Sequence, residues 1–352
     1  MYTSALYSKY IIDGIQRDLT PAEMLDSVSE SPESRPVDAG GWDAIADESV
    51  DPCVKPLSLD PSRTGEYLSS CLEGNGDVPL TYAGSYTRGL VAAALIDSIW
   101  RQGRFKLEDL VLTAKWQWTQ NEIGAMAAFY DSVEAASDYI DGLGVSIRRY
   151  SVSEGCPSVK FATPFSGASF LHPCTLQPDE ADWIVYIPFD TSEYRLGGSV
   201  LSRSLGLAGG TAPQIADPDY FIDCYEVVRE MVEDGVVVAG ATVGEGGLLT
   251  AMKRMAVNGV GAELDLSDVM KAVGEDDRMR ILFSEVPGVV IQIKDLDFDY
   301  VDAELLLQDV MFFPLGHPVP GSDSVNVSTS AKTGLQTILE SLLGKECGEG
   351  ED

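Results

Sequence analysis

Basic side chains are scarce: 24 Lys and Arg stand against 56 Asp and Glu, leaving the 352-residue chain at −32 with histidine neutral. Nucleic-acid binding is led by clustered cations that displace counterions from phosphates, so this balance excludes DNA and RNA as partners. Histidine is scarcer still, with only His172 and His317. The six cysteines, Cys53, Cys71, Cys156, Cys174, Cys224 and Cys347, form no C-x-x-C pair, so a structural zinc site lacks a ligand set. They read as reduced thiols of a cytosol-like compartment. No apolar run approaches 18 residues, and the N-terminus has no basic segment ahead of an apolar one. A membrane span and a secretory leader are therefore not expected, and the expected location is cytoplasmic.

What is present is ordinary globular material. Hydrophobic residues at 45% and aromatics at 9% supply a buried core and exclude wholesale disorder. The length fits two domains or subdomains. Residues 13–51 are acidic and rich in Ser and Pro, with only Arg17 and Arg35 as cations, so most of this insertion is expected to be mobile. An acidic tail is expected over 336–352.

Between these segments helix and strand patterns alternate. Leu90, Val91, Ala94, Leu95 and Ile99 recur at helical spacing, as do Phe129, Val133, Ala136, Ile140 and Leu143. A third helix is bounded by Asp217 as cap, Pro218 in the first turn and Gly235 as terminator. A fourth follows the glycines near 246 and runs through Leu248, Met252 and Met255. Strands fit Leu110–Lys115, Trp183–Pro188, Val236–Gly240, Gly261–Leu266 and Val289–Lys294. The sum is an α/β (α+β) chain with sheets covered by helices on one side. The aperiodic, proline-bearing stretch 172–182 marks a break, giving subdomains of 1–175 and 176–335.

Chemistry is harder to find. Gly240-Ala241-Thr242-Val243-Gly244-Glu245-Gly246-Gly247 joins a strand to a helix, so its N–H groups could face a phosphate. It lacks both the Lys-Ser/Thr of a P-loop and the dinucleotide fingerprint, and an ordinary tight turn explains it as well. Gly246 and Gly247, with Arg148 and Arg149 as cations, are the candidate nucleotide or phosphate ligands. Neither histidine selects a serine nucleophile, so no catalytic residue is assigned. Glu245, Asp97 and Glu285 are acids near element ends, where solvated surface is the usual role.

Several motifs occur together and in order: Ser8-Lys9-Tyr10, Cys53-Val54-Lys55-Pro56-Leu57, Leu112-Thr113-Ala114-Lys115-Trp116-Gln117-Trp118, Arg195-Leu196-Gly197-Gly198-Ser199, Gly246-Gly247-Leu248, Met255-Ala256 and Leu282-Phe283-Ser284-Glu285-Val286-Pro287-Gly288. This collinear set, covering about residues 8–313, resembles the second synthetase half of phosphoribosylformylglycinamidine synthase. The resemblance implies an aminoimidazole-ribonucleotide-synthetase-like unit: an N-terminal α/β subdomain that pairs with a related unit, and a C-terminal α/β subdomain. It also implies ATP, magnesium and glutamine-derived ammonia in the parent reaction, which converts an amide to an amidine. Neither a glutaminase domain nor the first synthetase half fits in this length.

The departures from the family pattern concern metal ligands. Where the family has E-A-L-T-N, this chain has Ala93-Ala94-Leu95-Ile96-Asp97, and where the family has H-D it has Ala241-Thr242. The family's G-K-D-S loop becomes Arg148-Arg149-Tyr150-Ser151, and a further family Asp falls near Arg63. Asp97 is left as the single candidate metal ligand. Magnesium is normally held by one or two carboxylates together with phosphate oxygens. Loss of ligands beside retained packing positions is expected of a non-catalytic descendant, so the favoured reading is a structural or protein-interaction module without cofactor. Its charge calls for a protein partner with a basic surface, and the family pairing suggests a homodimer or a larger assembly with a related unit. The alternative is one subunit of a split ATP- and magnesium-dependent carbon–nitrogen ligase of purine biosynthesis, completed by other chains. A third is metal-free binding of a nucleotide or phosphorylated metabolite.

Overall fold

A computed structural model describes residues 3–30, 80–101, 105–119, 123–166, 169–206 and 210–328. The expected tail 336–352 and the greater part of the insertion, 31–51, lie outside them.

The chain opens with α1 (Thr3–Tyr7) and a small hairpin, β1 (Ile11–Ile12) and β2 (Ile15–Gln16). Asp13 and Gly14, both at positive φ, make its two-residue turn. Next comes α2 (Pro21–Ser27), started by a reciprocal cap in which Thr20 Oγ1 accepts from the Glu23 N–H and the Glu23 carboxylate accepts from the Thr20 N–H. Residues 13–30 are thus folded, which corrects the mobile insertion expected to begin at 13. Averaged composition hid a short amphipathic helix that buries Met24 and Leu25.

Two long helices follow, α3 (Ala83–Arg101) and α4 (Ala125–Gly142); they contain the first two helical stripes read from the sequence except Leu143, which is the C-cap of α4. Between and after them run β3 (Val111–Trp118), β4 (Ser146–Glu154) and β5 (Ser158–Ala162). They form a three-stranded sheet in the order β4-β3-β5, with β4 parallel and β5 antiparallel to β3. The β3 tryptophans fasten this sheet to α4: Trp116 Nε1–H donates to Ser132 Oγ at 3.0 Å, and Trp118 Nε1–H to the Ala125 carbonyl at 2.6 Å.

The second half consists of β6 (Trp183–Pro188), α5 (Val200–Ser204), α6 (Pro218–Glu233), β7 (Val237–Val243), α7 (Gly247–Met255), β8 (Val260–Asp265), α8 (Ser267–Val273), α9 (Arg278–Phe283), β9 (Gly288–Ile293), α10 (Phe298–Leu307), β10 (Phe313–Pro320) and β11 (Val325–Ser328). Asp217 caps α6 by accepting from the Tyr220 N–H, with Pro218 in the first turn, as its sequence signature required. The strands build a six-stranded sheet in the order β11-β8-β10-β6-β9-β7, antiparallel throughout except for β11 on β8.

This sheet is covered on both faces, not on one. Val185 and Ile187 of β6 and Val289 and Ile291 of β9 join a core with α3, α4 and α6, whereas Ile184, Tyr186 and Val290 join a second core with α7 and α9. Trp183-Ile184-Val185-Tyr186-Ile187 reads as an unbroken apolar run for that reason, since each successive side chain enters a different core. The buried Gln292 of β9 is fully satisfied: its amide donates to Asp182 Oδ2 at 2.7 Å and to the Gln177 carbonyl, and its oxygen accepts from the Gln177 N–H.

Candidate functional site

On α3 the residues Tyr86, Leu90, Ala93 and Asp97 fall three or four apart and so share one face. They line one wall of a groove of about 470 Å³. Across it lie Thr242 and the turn Gly244-Glu245 after β7, with Lys160 and Phe161 of β5 and Arg254 of α7 closing the sides. A smaller, mostly apolar cavity of about 40 Å³ continues from it past Gly89, Gly198, Ile215 and Glu285.

A polar cluster joins the two spaces. The Tyr86 hydroxyl donates to Glu245 Oε1 at 2.5 Å, and Arg203 approaches the same oxygen at 3.6 Å while its guanidinium lies over the Tyr86 ring. Burial, reinforced by the Glu245 charge, pushes the Tyr86 phenol far above its ordinary range, so it remains a donor. Glu285 Oε1 accepts two backbone N–H groups, from Val200 at 2.7 Å and Gly246 at 3.0 Å. Burial raises the Glu285 carboxyl to about 7, against the opposing pull of those two hydrogen bonds.

The glycine turn is spent on the fold. Gly246 and Gly247 both sit at positive φ. The Gly246 N–H goes to Glu285, and that of Gly247 to the Gly244 carbonyl at 2.9 Å. A Cβ on Gly247 would stand 2.6 Å from the Leu282 carbonyl oxygen, so the close approach of α7 to α9 demands glycine there. The Gly246 N–H is thus engaged by an internal carboxylate. Arg148 and Arg149 lie on β4, and neither lines the groove; Arg148 Nε pairs with Glu30 at 3.2 Å. None of Arg148, Arg149, Gly246 and Gly247 lines the groove.

The metal positions do come together. Ala93, Asp97 and Thr242 all line the groove. Asp97 Oδ2 accepts from Arg101 Nε at 2.6 Å, and Arg101 in turn lies over the Phe170 ring. Thr242 Oγ1 accepts the Trp100 indole N–H at 2.9 Å. Arg63 lies outside the described residues. Magnesium wants an octahedron of oxygens led by carboxylates. A methyl group, a hydroxyl tied to an indole and one ion-paired carboxylate do not fit it, and among the described residues no cluster of three His, Cys, Asp or Glu could hold a metal.

Three participants escaped the sequence reading: Tyr86, Trp100 and Arg203. For Trp100 there was a signal. Gly240 lies inside a strand, between Ala239 and Ala241, and a Cβ there would meet the Trp100 ring at 2.3 Å. A glycine inside a strand asks what presses against it.

Comparison with known proteins agrees with this architecture. Residues 182–295 match the family model of the AIR synthase related protein, C-terminal domain. Human phosphoribosylformylglycinamidine synthase is 22% identical over 255 residues, which is 68% of this chain and 18% of that one. The Drosophila melanogaster enzyme of the same name is 24% identical over 228 residues, 56% of this chain and 16% of that one. The chain therefore spans less than a fifth of the length of these relatives. Among solved structures, Thermotoga maritima PurL complexed with FGAR superposes with a TM-score of 0.52 at 16% identity, covering 79% of this chain and 50% of that one. No described helix is long and apolar enough to cross a membrane.

Proposed function

The chain is an AIR-synthase-like relative of phosphoribosylformylglycinamidine synthase, and from that premise we propose that it is a non-catalytic member, a structural or protein-interaction module without metal-dependent ATP chemistry. The observation that carries this reading is the hydrogen bond from Trp100 to Thr242. At a position where the resemblance places a metal-binding carboxylate, the side chain is a hydroxyl engaged in holding α3 to β7. Ala93 and the Asp97–Arg101 pair extend the same pattern. The remaining charge, −32 over the chain, favours a partner with a basic surface. Assembly with a second synthetase-like unit belongs to the same proposal.

A second reading has its own support. The groove beside α3 remains open at about 470 Å³, and the chain covers under a fifth of its longer relatives, so the rest of a split ATP-dependent amidotransferase could be supplied by other chains.

Isothermal titration with ATP and ADP, each with and without magnesium, separates these readings. The interaction module gives no heat with either nucleotide from folded protein. Magnesium-dependent binding at micromolar affinity would overturn it in favour of the split enzyme, and magnesium-independent binding would replace it with a metabolite-binding role.

A further inference from the structure

Residues 295–311, built around α10, carry six acids, Asp295, Asp297, Asp299, Asp302, Glu304 and Asp309, and no Lys or Arg. The helix buries Val301 and Leu305 against the core. Phe298 packs partly against the same core and the Trp183 ring, but the remaining large apolar side chains point outward: Leu306 is 65% exposed and Leu307 76%, flanked by Leu296 at 92%, Tyr300 at 45% and Met311 at 40%. Single exposed leucines are ordinary, whereas five large apolar side chains within 16 positions form a patch of the kind that marks an interaction site.

The acidic field reaches beyond this helix. Glu304, Asp234 and Glu230 all act on the Tyr300 hydroxyl, the latter two from the end of α6. Arg229, the cation beside them, is already ion-paired with Glu226, Glu230 and Glu233 at 2.8, 3.1 and 3.0 Å. Lys294, just before the stretch, lies in the field of Asp182.

Charge restricts what can cover such a surface. An anionic lipid headgroup would be repelled, and a second copy docked face to face would set the same acids against each other. The chain's own remaining segments match no better. Residues 31–79 contain ten acids and three cations, and residues 329–352 five acids and two lysines.

We propose that the exposed face of α10, with Leu296 and Met311 at its margins, docks a basic segment of another protein that carries apolar side chains beside its Lys or Arg. The apolar groups would bury against Leu306, Leu307 and Leu296, and the cations would meet the surrounding carboxylates, which steer the encounter and exclude acidic partners. This rests on the interaction-module reading and gives it a location.

The test uses fluorescence anisotropy on the full chain near physiological salt. One labelled probe is a synthetic Lys/Leu peptide patterned as an amphipathic helix, and the other carries the same charge with every Leu replaced by Ser. The Lys/Leu peptide is expected to bind at least tenfold more tightly and to protect 296–311 from hydrogen exchange. Leu306→Ser with Leu307→Ser should weaken it at least tenfold without moving the unfolding midpoint. Asp299→Lys with Asp309→Lys should weaken it and flatten its salt dependence. Equal binding of both peptides, indifference to these variants, or protection elsewhere would overturn the proposal. A dimer that the Leu306→Ser, Leu307→Ser variant turns into a monomer would overturn it too, assigning the face to a second copy. The nucleotide titration is independent: magnesium-dependent ATP binding would sink the non-catalytic reading, while a failed peptide experiment removes only this surface.

Discussion

The Trp100 indole and the Thr242 hydroxyl, 142 residues apart in sequence, are joined by a 2.9 Å hydrogen bond that ties the end of α3 to β7. Trp100 is 1% exposed and has its ring against Gly240, so the indole N–H relies on the Thr242 hydroxyl as its acceptor. Thr242→Val keeps the shape and removes the acceptor. Because an orphaned buried donor costs about 1–3 kcal/mol, the unfolding free energy of Thr242→Val from urea titration should fall by that amount and its midpoint with it, while Thr242→Ser should stay close to wild type. Equal midpoints for Val and Ser would mean that the hydroxyl contributes nothing there.

Glu285 should make stability fall as pH rises. Its carboxyl is raised to about 7 by burial, so between the ordinary carboxylate range near 4.5 and about 7 the folded chain holds a proton that the unfolded chain has released. The associated stability is fully present below that window and lost on passing up through it, on the order of 3 kcal/mol. Asp131 and Asp190 are raised by burial as well and add a trend of the same sign. Glu285→Gln keeps an oxygen for the Val200 and Gly246 N–H groups while abolishing the titration. Urea unfolding at pH 5 and pH 8 should show a smaller decline in Glu285→Gln than in wild type.

The cap on α2 is a third place to press. Thr20→Ala removes the acceptor for the Glu23 N–H and should cost about 1 kcal/mol. Hydrogen exchange should quicken at 21–27 before it changes in α4, because the capped helix is short and its α4 contacts hold one side only. Unchanged exchange over 21–27 would remove the cap from the account of why this acidic segment folds.

Elements with one dominant period were legible. The α6 boundaries followed from Asp217, Pro218 and Gly235, and β6 from a run of residues buried on both faces. The strand β10 was not legible, because Pro314, Pro318 and Pro320 argue against a strand and yet it lies between β6 and β8. The register against β6 shifts between Pro314 and Gly316, and Pro318 and Pro320 lie past the β6 pairing, beside β8 alone. At the groove, the resemblance brought attention to Ala93, Asp97 and Thr242, but what those side chains do depends on Trp100 and Arg101. Local patterns say which face of α3 is apolar, and say nothing of an indole reaching a strand 142 positions later. Glu285 shows the same limit: as a lone acid in an acidic chain it reads as surface, and only the fold brings the Val200 and Gly246 N–H groups to it.

The core shared by the two halves bears on how the molecule comes apart. Leu6, Leu25 and Phe129 from the first half belong to the same buried cluster as Val185, Phe221, Ile291 and Val310 from the second. Separating the halves would put α3, α4 and one face of the six-stranded sheet into water together, and neither side would retain a complete apolar interior on that face. Heating should therefore give one cooperative transition for the two halves, and a chain cut between them should lose both instead of releasing a folded remnant.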